Sequence, residues 1–313
     1  MIIDAHAHIF PAIQGRIGSG ETTGIGYGRA QVGFAIEQIL PPYNEHTLFT
    51  PEMLIANLDW AGVDKAVLLQ GSFYGECNAY AAAALYRYPE RLIGMAYFDP
   101  WVGADREQLA LLLDSAPFRG IKIEFSVATG LMGLHPEAQL DAPGLEWLWA
   151  ELEQRRLVLT LDLGAVGSAS YRTGAVRGIA QQHPDLMIVI AHLAQPTPAA
   201  EADAALWTLW QEQVMLAKMP NVWLDLAALP AYMPAEDYPF PTAGQYIHKA
   251  VDLIGPARLM WGTDQPGLLA HLNYPQLLRL AKHHLTFLSP DEQALVLGQT
   301  AAQIYGSAPL RNL

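Results

Sequence analysis

The feature that most constrains this chain is a repeated alternation of short apolar runs with helix-forming stretches. Eight runs rich in Ile, Leu, Val and Ala read as strands, at residues 2–6, 65–70, 92–98, 120–125, 157–163, 187–191, 222–226 and 258–262. Most are apolar nearly throughout, the pattern of parallel strands covered on both faces. Helix signals fill the gaps. Thr50-Pro51-Glu52 and Ser289-Pro290-Asp291-Glu292 each set a cap followed by proline at the first helical position. Residues 79–86 are alanine-rich, and Ala142-Pro143 opens a segment with Leu145, Leu148, Trp149 and Leu152 at helical spacing. Leu206, Leu209, Trp210 and Val214 repeat that spacing. This order predicts an α/β chain folded as a (β/α)8 TIM barrel.

Such a barrel takes ~250 residues, and the chain has 313. We read 1–313 as one domain with the surplus in insertions. Residues 11–49 follow the first run and carry glycine at 15, 18, 20, 24, 26, 28 and 33. They are expected to form a long Gly-rich insertion loop over the active-site mouth. A proline-rich stretch, 229–241, follows the seventh run, and a C-terminal helix is expected over 289–306.

Composition removes several classes of function. Hydrophobic residues make up 51%, enough for a large core, so extended disorder is excluded. With 18 Lys and Arg against 31 Asp and Glu, the net charge is −13. No basic cluster is offered to nucleic acid or to an anionic membrane surface. No run approaches the ~20 apolar residues of a membrane span. The N-terminus shows no charged and apolar leader, and the single Cys77 rules out an internal disulfide. The expectation is a cytoplasmic protein acting on a small molecule, a homodimer by the usual prior, with Cys77 a small buried residue. Neither G-x-S-x-G nor a phosphate-binding loop is present.

The chemistry is carried by Asp4-Ala5-His6-Ala7-His8 at the end of the first strand. Residues two apart on a strand share a face, so His6 and His8 present two imidazoles together. Neutral imidazole is the commonest metal ligand; the bland reading is a polar strand end. His192 follows the sixth strand and Asp264 the eighth. Alone, the first reads as a structural histidine and the second as a helix cap. Together they fall at the carboxyl end, where barrels place their sites, and the eighth strand neighbours the first on closure. Asp162 ends the fifth strand, and Lys122 and Glu124 lie two apart on the fourth.

These motifs resemble the amidohydrolase superfamily, in particular its amidohydrolase-related branch of metal-dependent TIM-barrel hydrolases and decarboxylases. The resemblance runs through Ile3–His8, Gly120–Ile123, Ile190–Leu193, Asn221–Asp225, Trp261–Pro266 and Ala301–Gly306. It implies that His6 and His8 are first-strand metal ligands and that Asp264 is a ligand and the base that takes a proton from water. His192 is implied to orient water or polarise substrate in a one-metal site, and to ligate in a two-metal site. Lys122 is implied as a carbamylated bridge in the two-metal case and otherwise as the partner of a carboxylate such as Glu124 or Asp162. Relatives carry a histidine where this chain has Asp162. Asp162 is then a ligand, a group that orients a ligating histidine, or the mark of a site without metal. The implied cofactor is one divalent ion, Zn²⁺ first and Mn²⁺ second.

The implied reaction is metal-assisted hydrolysis of an amide, lactone or related ester. The alternatives are non-oxidative decarboxylation of an aromatic or enoic acid and a metal-free lactonase or isomerase. Arg16 and Arg29 in the insertion are candidates to clamp a substrate carboxylate, or are solvated loop charges. Tyr74, with Tyr27, Phe73, Phe98, Trp101 and Tyr232, suggests an aromatic-lined pocket. His46 is placed to reach that pocket, and His283-His284 is expected on an exposed helix face. No partner is predicted for His135, His248 or His271.

Overall fold

The computed structural model describes residues 1–306. Eight parallel strands form one sheet: β1 (Ile3–Ala7), β6 (Lys65–Leu68), β7 (Leu92–Tyr97), β8 (Phe118–Glu124), β9 (Val158–Asp162), β10 (Met187–Ile190), β11 (Val222–Asp225) and β12 (Leu259–Met260). Every neighbouring pair is consecutive among these eight, with helices on the outer face. The sheet closes where Ala5 N donates to Trp261 O at 2.9 Å and His8 N to Gln265 O at 2.7 Å. The fold is the predicted (β/α)8 TIM barrel.

Two cores follow from the strand periodicity. Ile3, Val67, Met95, Val158, Val189 and Met260 fill the barrel interior, with Ile304 and Tyr305 of the C-terminal helix Thr300–Gly306 packed among them. Ile121, Ile123, Leu159, Leu161 and Leu224 pack outward against the helices. Gly298 stands against the backbone of Met1 and Ile3, so the C-terminal segment closes the amino end of the barrel. The opposite end stays free for chemistry.

The caps read from sequence are formed. Thr50 Oγ1 accepts from Met53 N at 3.3 Å and starts helix Pro51–Ala61, which ends at Gly62 in the left-handed region. Ser289 and Glu292 make a reciprocal capping box. Helix Tyr274–His284 differs from expectation in one detail. Its buried stripe runs through Leu277, Leu280, Ala281 and His284, so His284 is buried and its Nε2 donates to Pro239 O at 2.7 Å. Cys77 is buried, and burial pushes its thiol up to about 11.

The glycine-rich insertion is a small antiparallel sheet rather than an irregular loop. Its strands are β2 (Gln14–Ile17), β3 (Gly20–Gly26), β4 (Arg29–Val32) and β5 (Ala35–Gln38), in that spatial order. Strand β2 lies along the segment after β6: Arg16 N donates to Ser72 O at 3.0 Å and Gln14 N to Tyr74 O at 3.3 Å. Gly15 permits this approach, because a Cβ there would stand 2.1 Å from Ser72 O. The insertion therefore lies at the carboxyl end of the barrel. No helix among the described residues is long and apolar enough to cross a membrane.

Barrel closure leaves no room at Gly120 in β8. A Cβ there would stand 1.8 Å from Val158 O on the neighbouring strand β9. We expect Gly120→Ala to destabilise the fold by ~3 kcal/mol, read from denaturant unfolding. Wild-type stability in that variant would contradict the tight β8–β9 packing.

Candidate active site at the carboxyl end of the barrel

Two buried carboxylates organise this end. Asp4 in β1 accepts from Thr263 N at 2.9 Å, Thr263 Oγ1 at 2.5 Å, Tyr274 OH at 2.8 Å and His6 N at 3.1 Å. Burial raises its carboxyl to about 6 even against these bonds. Asp4 thus staples β1 to the segment after β12, the two elements that carry His6, His8 and Asp264. Asp264 N donates to His6 O at 2.8 Å, and Asp264 takes φ +59°, a region that Asp enters more readily than most residues.

Asp225 ends β11. Its Oδ2 accepts from His6 Nδ1 at 2.9 Å, and its Oδ1 from His192 N at 2.8 Å and Ala227 N at 3.0 Å. One carboxylate therefore fixes a ring and a main-chain group belonging to two functional histidines. With Nδ1 donating, His6 turns Nε2 inward, 3.6 Å from Asp264 Oδ1 and 3.5 Å from Lys122 Nζ. Burial, and then the charges of Lys122 and His192, hold His6 well below the usual imidazole range. It is neutral, as a ligand must be.

His8 gives the sharpest geometry. Its Nδ1 lies 2.7 Å from Leu69 O. A carbonyl only accepts, so Nδ1 carries the proton and Nε2 keeps its lone pair. That lone pair lies 3.0 Å from Asp264 Oδ1. Burial lowers His8, so it is neutral. Burial alone would raise Asp264, but the positive charge of His192 counters it and holds the carboxylate below its usual range. Two acceptors at this separation repel unless a cation lies between them.

His192 is delivered differently. Residues His192, Leu193, Ala194 and Gln195 all take left-handed backbone angles, with φ of 60°, 51°, 57° and 53°. Each such non-glycine residue costs on the order of 1–2 kcal/mol. The His192 Nε2 faces Asp162 Oδ2 at 3.3 Å. Burial alone would lower this imidazole, but the Asp162 charge and hydrogen bond, with Asp264 and Asp225, raise it to about 9. Asp162 is occupied by this pairing. Its Oδ1 also accepts from Gly164 N and Gln195 Nε2, each at 2.9 Å.

Not every sequence candidate reaches this centre. His6, His192 and Asp264 gather with ligand atoms within 4.8 Å of one another, and His8 touches Asp264. Lys122 is buried beside His6, 3.9 Å from Glu124 Oε2, and Thr129 Oγ1 donates to Glu124 Oε1. Tyr74 packs 5.0 Å from the His8 ring and Tyr232 6.2 Å from the His192 ring. Arg16 lines a separate groove of about 460 Å³ with Glu21, Ser72, Glu76 and Tyr97. Arg29 is exposed, with Nε 3.5 Å from Gly26 O. His46 is exposed beside Glu45. His135, for which no partner was predicted, lies 2.8 Å from Asp99 Oδ2. Asp4, Asp225 and Gln195 were given no role in the sequence; Asp225 had the signal of a carboxylate closing a strand within a recognised motif.

The donor set suits a borderline divalent cation. It offers neutral imidazole nitrogens and an ionised carboxylate oxygen, the usual company of Zn²⁺. The His8–Asp264 contact is the structural mark of the fit, because it is repulsive without a positive partner. The His192 Nδ1 is buried without a hydrogen-bond partner, which leaves one polar group of the centre for another species.

A TIM barrel with imidazoles and carboxylates converging at its carboxyl end has the layout of a catalytic barrel. The chain belongs to the amidohydrolase family, whose model matches residues 3–307. It is 32% identical over 136 residues to the L-fucono-1,5-lactonase of Burkholderia ambifaria, covering 42% of this chain and 45% of the lactonase. The match thus spans less than half of that relative. Among solved structures, an amidohydrolase of Burkholderia multivorans with bound zinc superposes with a TM-score of 0.72 at 20% identity. It covers 99% of this chain and all of that one. A protein from Acinetobacter baumannii described as a probable 2-pyrone-4,6-dicarboxylic acid hydrolase, with citric acid bound, gives 0.69 at 20% identity over 97% and 99%. At these identities the structural likeness speaks for the fold.

Asp225 generates the prediction for this site. Asp225→Asn is expected to weaken Zn²⁺ binding ~10–100-fold, measured by calorimetric titration of metal-free protein. Unchanged affinity would show that Asp225 does not orient a ligand.

Proposed function

We propose that the protein is a lactonase, opening the ring of a small hydroxylated lactone by metal-assisted hydrolysis. The observation that carries this reading is the His8 Nε2–Asp264 Oδ1 contact at 3.0 Å, with His6 beside it. The partial identity to a sugar-acid lactonase supports the substrate class. In this reading His6, His8 and Asp264 hold the ion, and His192, paired with Asp162, keeps its proton. When bound, a divalent ion polarises the acyl oxygen and makes water more acidic.

The protein's own groups do the rest. Asp264 is the carboxylate at the centre with an open side, 27% exposed, and it accepts the proton of the attacking water. His192, held positive by Asp162, steadies the negative charge that develops on the acyl oxygen. As the ring C–O bond breaks, the proton on Asp264 passes to the departing ring oxygen, which becomes a hydroxyl. Burial, and then the charge of Lys122 3.5 Å from His6 Nε2, keep that imidazole neutral.

Substrate recognition falls to two phenols flanking the histidines. Burial, and then the nearby carboxylates, push Tyr74 and Tyr232 well above the usual phenol range, so both remain donors. Neutral hydroxyl donors suit a hydroxylated, uncharged ring. Of the arginines proposed from sequence for a substrate carboxylate, Arg16 lines a groove with Glu21 and Glu76, and Arg29 is exposed beside Gly26 O.

A panel of five- and six-membered aldonolactones, followed by acid release at fixed pH, tests the reading. Turnover is expected, with Asp264→Asn lowering kcat by ~10²–10⁴-fold. Carbon dioxide release from an aryl acid, with no lactone opened, would contradict it. Tyr232→Phe is expected to raise KM about tenfold with kcat little changed, as loss of one neutral hydrogen bond implies; an unchanged KM would remove Tyr232 from recognition.

A further inference from the structure

His192 owes its place to a segment that ordinary side chains avoid. Residues 192–195 form one turn in the left-handed sense with no glycine. A main-chain bond from Gln195 N to His192 O at 2.8 Å closes it. Leu193 and Ala194 are buried, so their carbonyls need donors within the protein. Two side chains supply them. Trp210 Nε1 donates to Leu193 O at 2.9 Å, and Tyr171 OH donates to Ala194 O at 3.1 Å.

We propose that Trp210 and Tyr171 are positioning residues for His192, holding the left-handed turn that aims its imidazole at the reaction centre. The proposal rests on the lactonase reading above. Trp210 is wholly buried in helix Ala204–Met215 and is itself wedged. Its ring stacks on Trp207 at 4.2 Å, and Lys249 Nζ lies 4.8 Å over Trp207. Lys249 is tied to Glu201, which also accepts from Tyr246 OH at 2.9 Å. The indole N–H is therefore fixed from behind. Tyr171 comes from a different element, just before helix Thr173–Gln182. The two clamps approach adjacent carbonyls independently. At the ends of the turn, Asp225 accepts from His192 N, and Asp162 accepts from Gln195 Nε2. With both carbonyls held, the His192 ring has one pose against Asp162.

Three variants of the full chain test this on a lactone that the wild type opens. Trp210→Phe keeps an aromatic ring against Trp207 and deletes the donor. Tyr171→Phe deletes a single oxygen. Trp149→Phe deletes another buried indole donor, one that bonds Leu140 O and not the turn. The first two are expected to lower kcat ~10–100-fold with KM within about threefold, and to speed amide exchange at residues 192–195. Their double variant is expected to lose little more than either alone, since both act through one turn. Trp149→Phe is expected to lower the melting temperature and keep kcat. Should Trp210→Phe fail to fold, Tyr171→Phe decides. Folded Trp210→Phe and Tyr171→Phe chains with wild-type kcat overturn the positioning claim alone. A wild-type chain that opens no lactone removes the lactonase reading, and this claim falls with it.

Discussion

The site depends on one buried carboxylate, Asp225, shared between two histidines. Its two oxygens accept from the His6 ring and from the His192 main chain, at 2.9 and 2.8 Å. Burial raises its carboxyl, so the group belongs there only because donors surround it. Through Asp225 the ends of β1, β10 and β11 share a common reference point. The His6 tautomer, the start of the left-handed turn and the direction of His192 all follow from it. Asp4 does the corresponding work between β1 and the segment after β12.

The barrel then explains why chemistry collects at one end. The amino end is closed by the C-terminal segment packed on Met1 and Ile3. The carboxyl end receives the strand ends, the insertion sheet and the two phenols. Charge is divided there by environment. His6 and His8 are kept neutral by burial, while His192 is kept positive by Asp162. Three histidines of one site thus hold two protonation states, the division that the proposed roles of ligand and proton-bearing group require.

Much of this was legible in the sequence. Strands buried on both faces read as continuous apolar runs, so the eight barrel strands stood out to within a residue or two at most ends. His6, His8, His192 and Asp264 were visible because each closes a strand. The insertion was less legible. Its strands are short and glycine-rich, and β3 buries Thr22 and Gly26 while Ile25 is exposed, so no apolar alternation marks it as a strand. The roles of Asp4, inside β1, and of Asp225, at the end of β11, were hidden because only tertiary contacts show what they hold. Asp162 was open between three roles in sequence; its bonds to His192, Gln195 and Gly164 are long-range or loop contacts that spacing does not encode. The His284 contact was missed because a pair of adjacent histidines has no shared helix face.

The central claim is that the His6, His8 and Asp264 cluster is built around a cation. Metal content per chain is its most direct test. The purified protein, loaded with Zn²⁺ and dialysed, would be analysed by elemental mass spectrometry beside His8→Ala. The account predicts about one equivalent in the wild type and a clear loss in the variant. No retained metal, or equal retention in both, would contradict it.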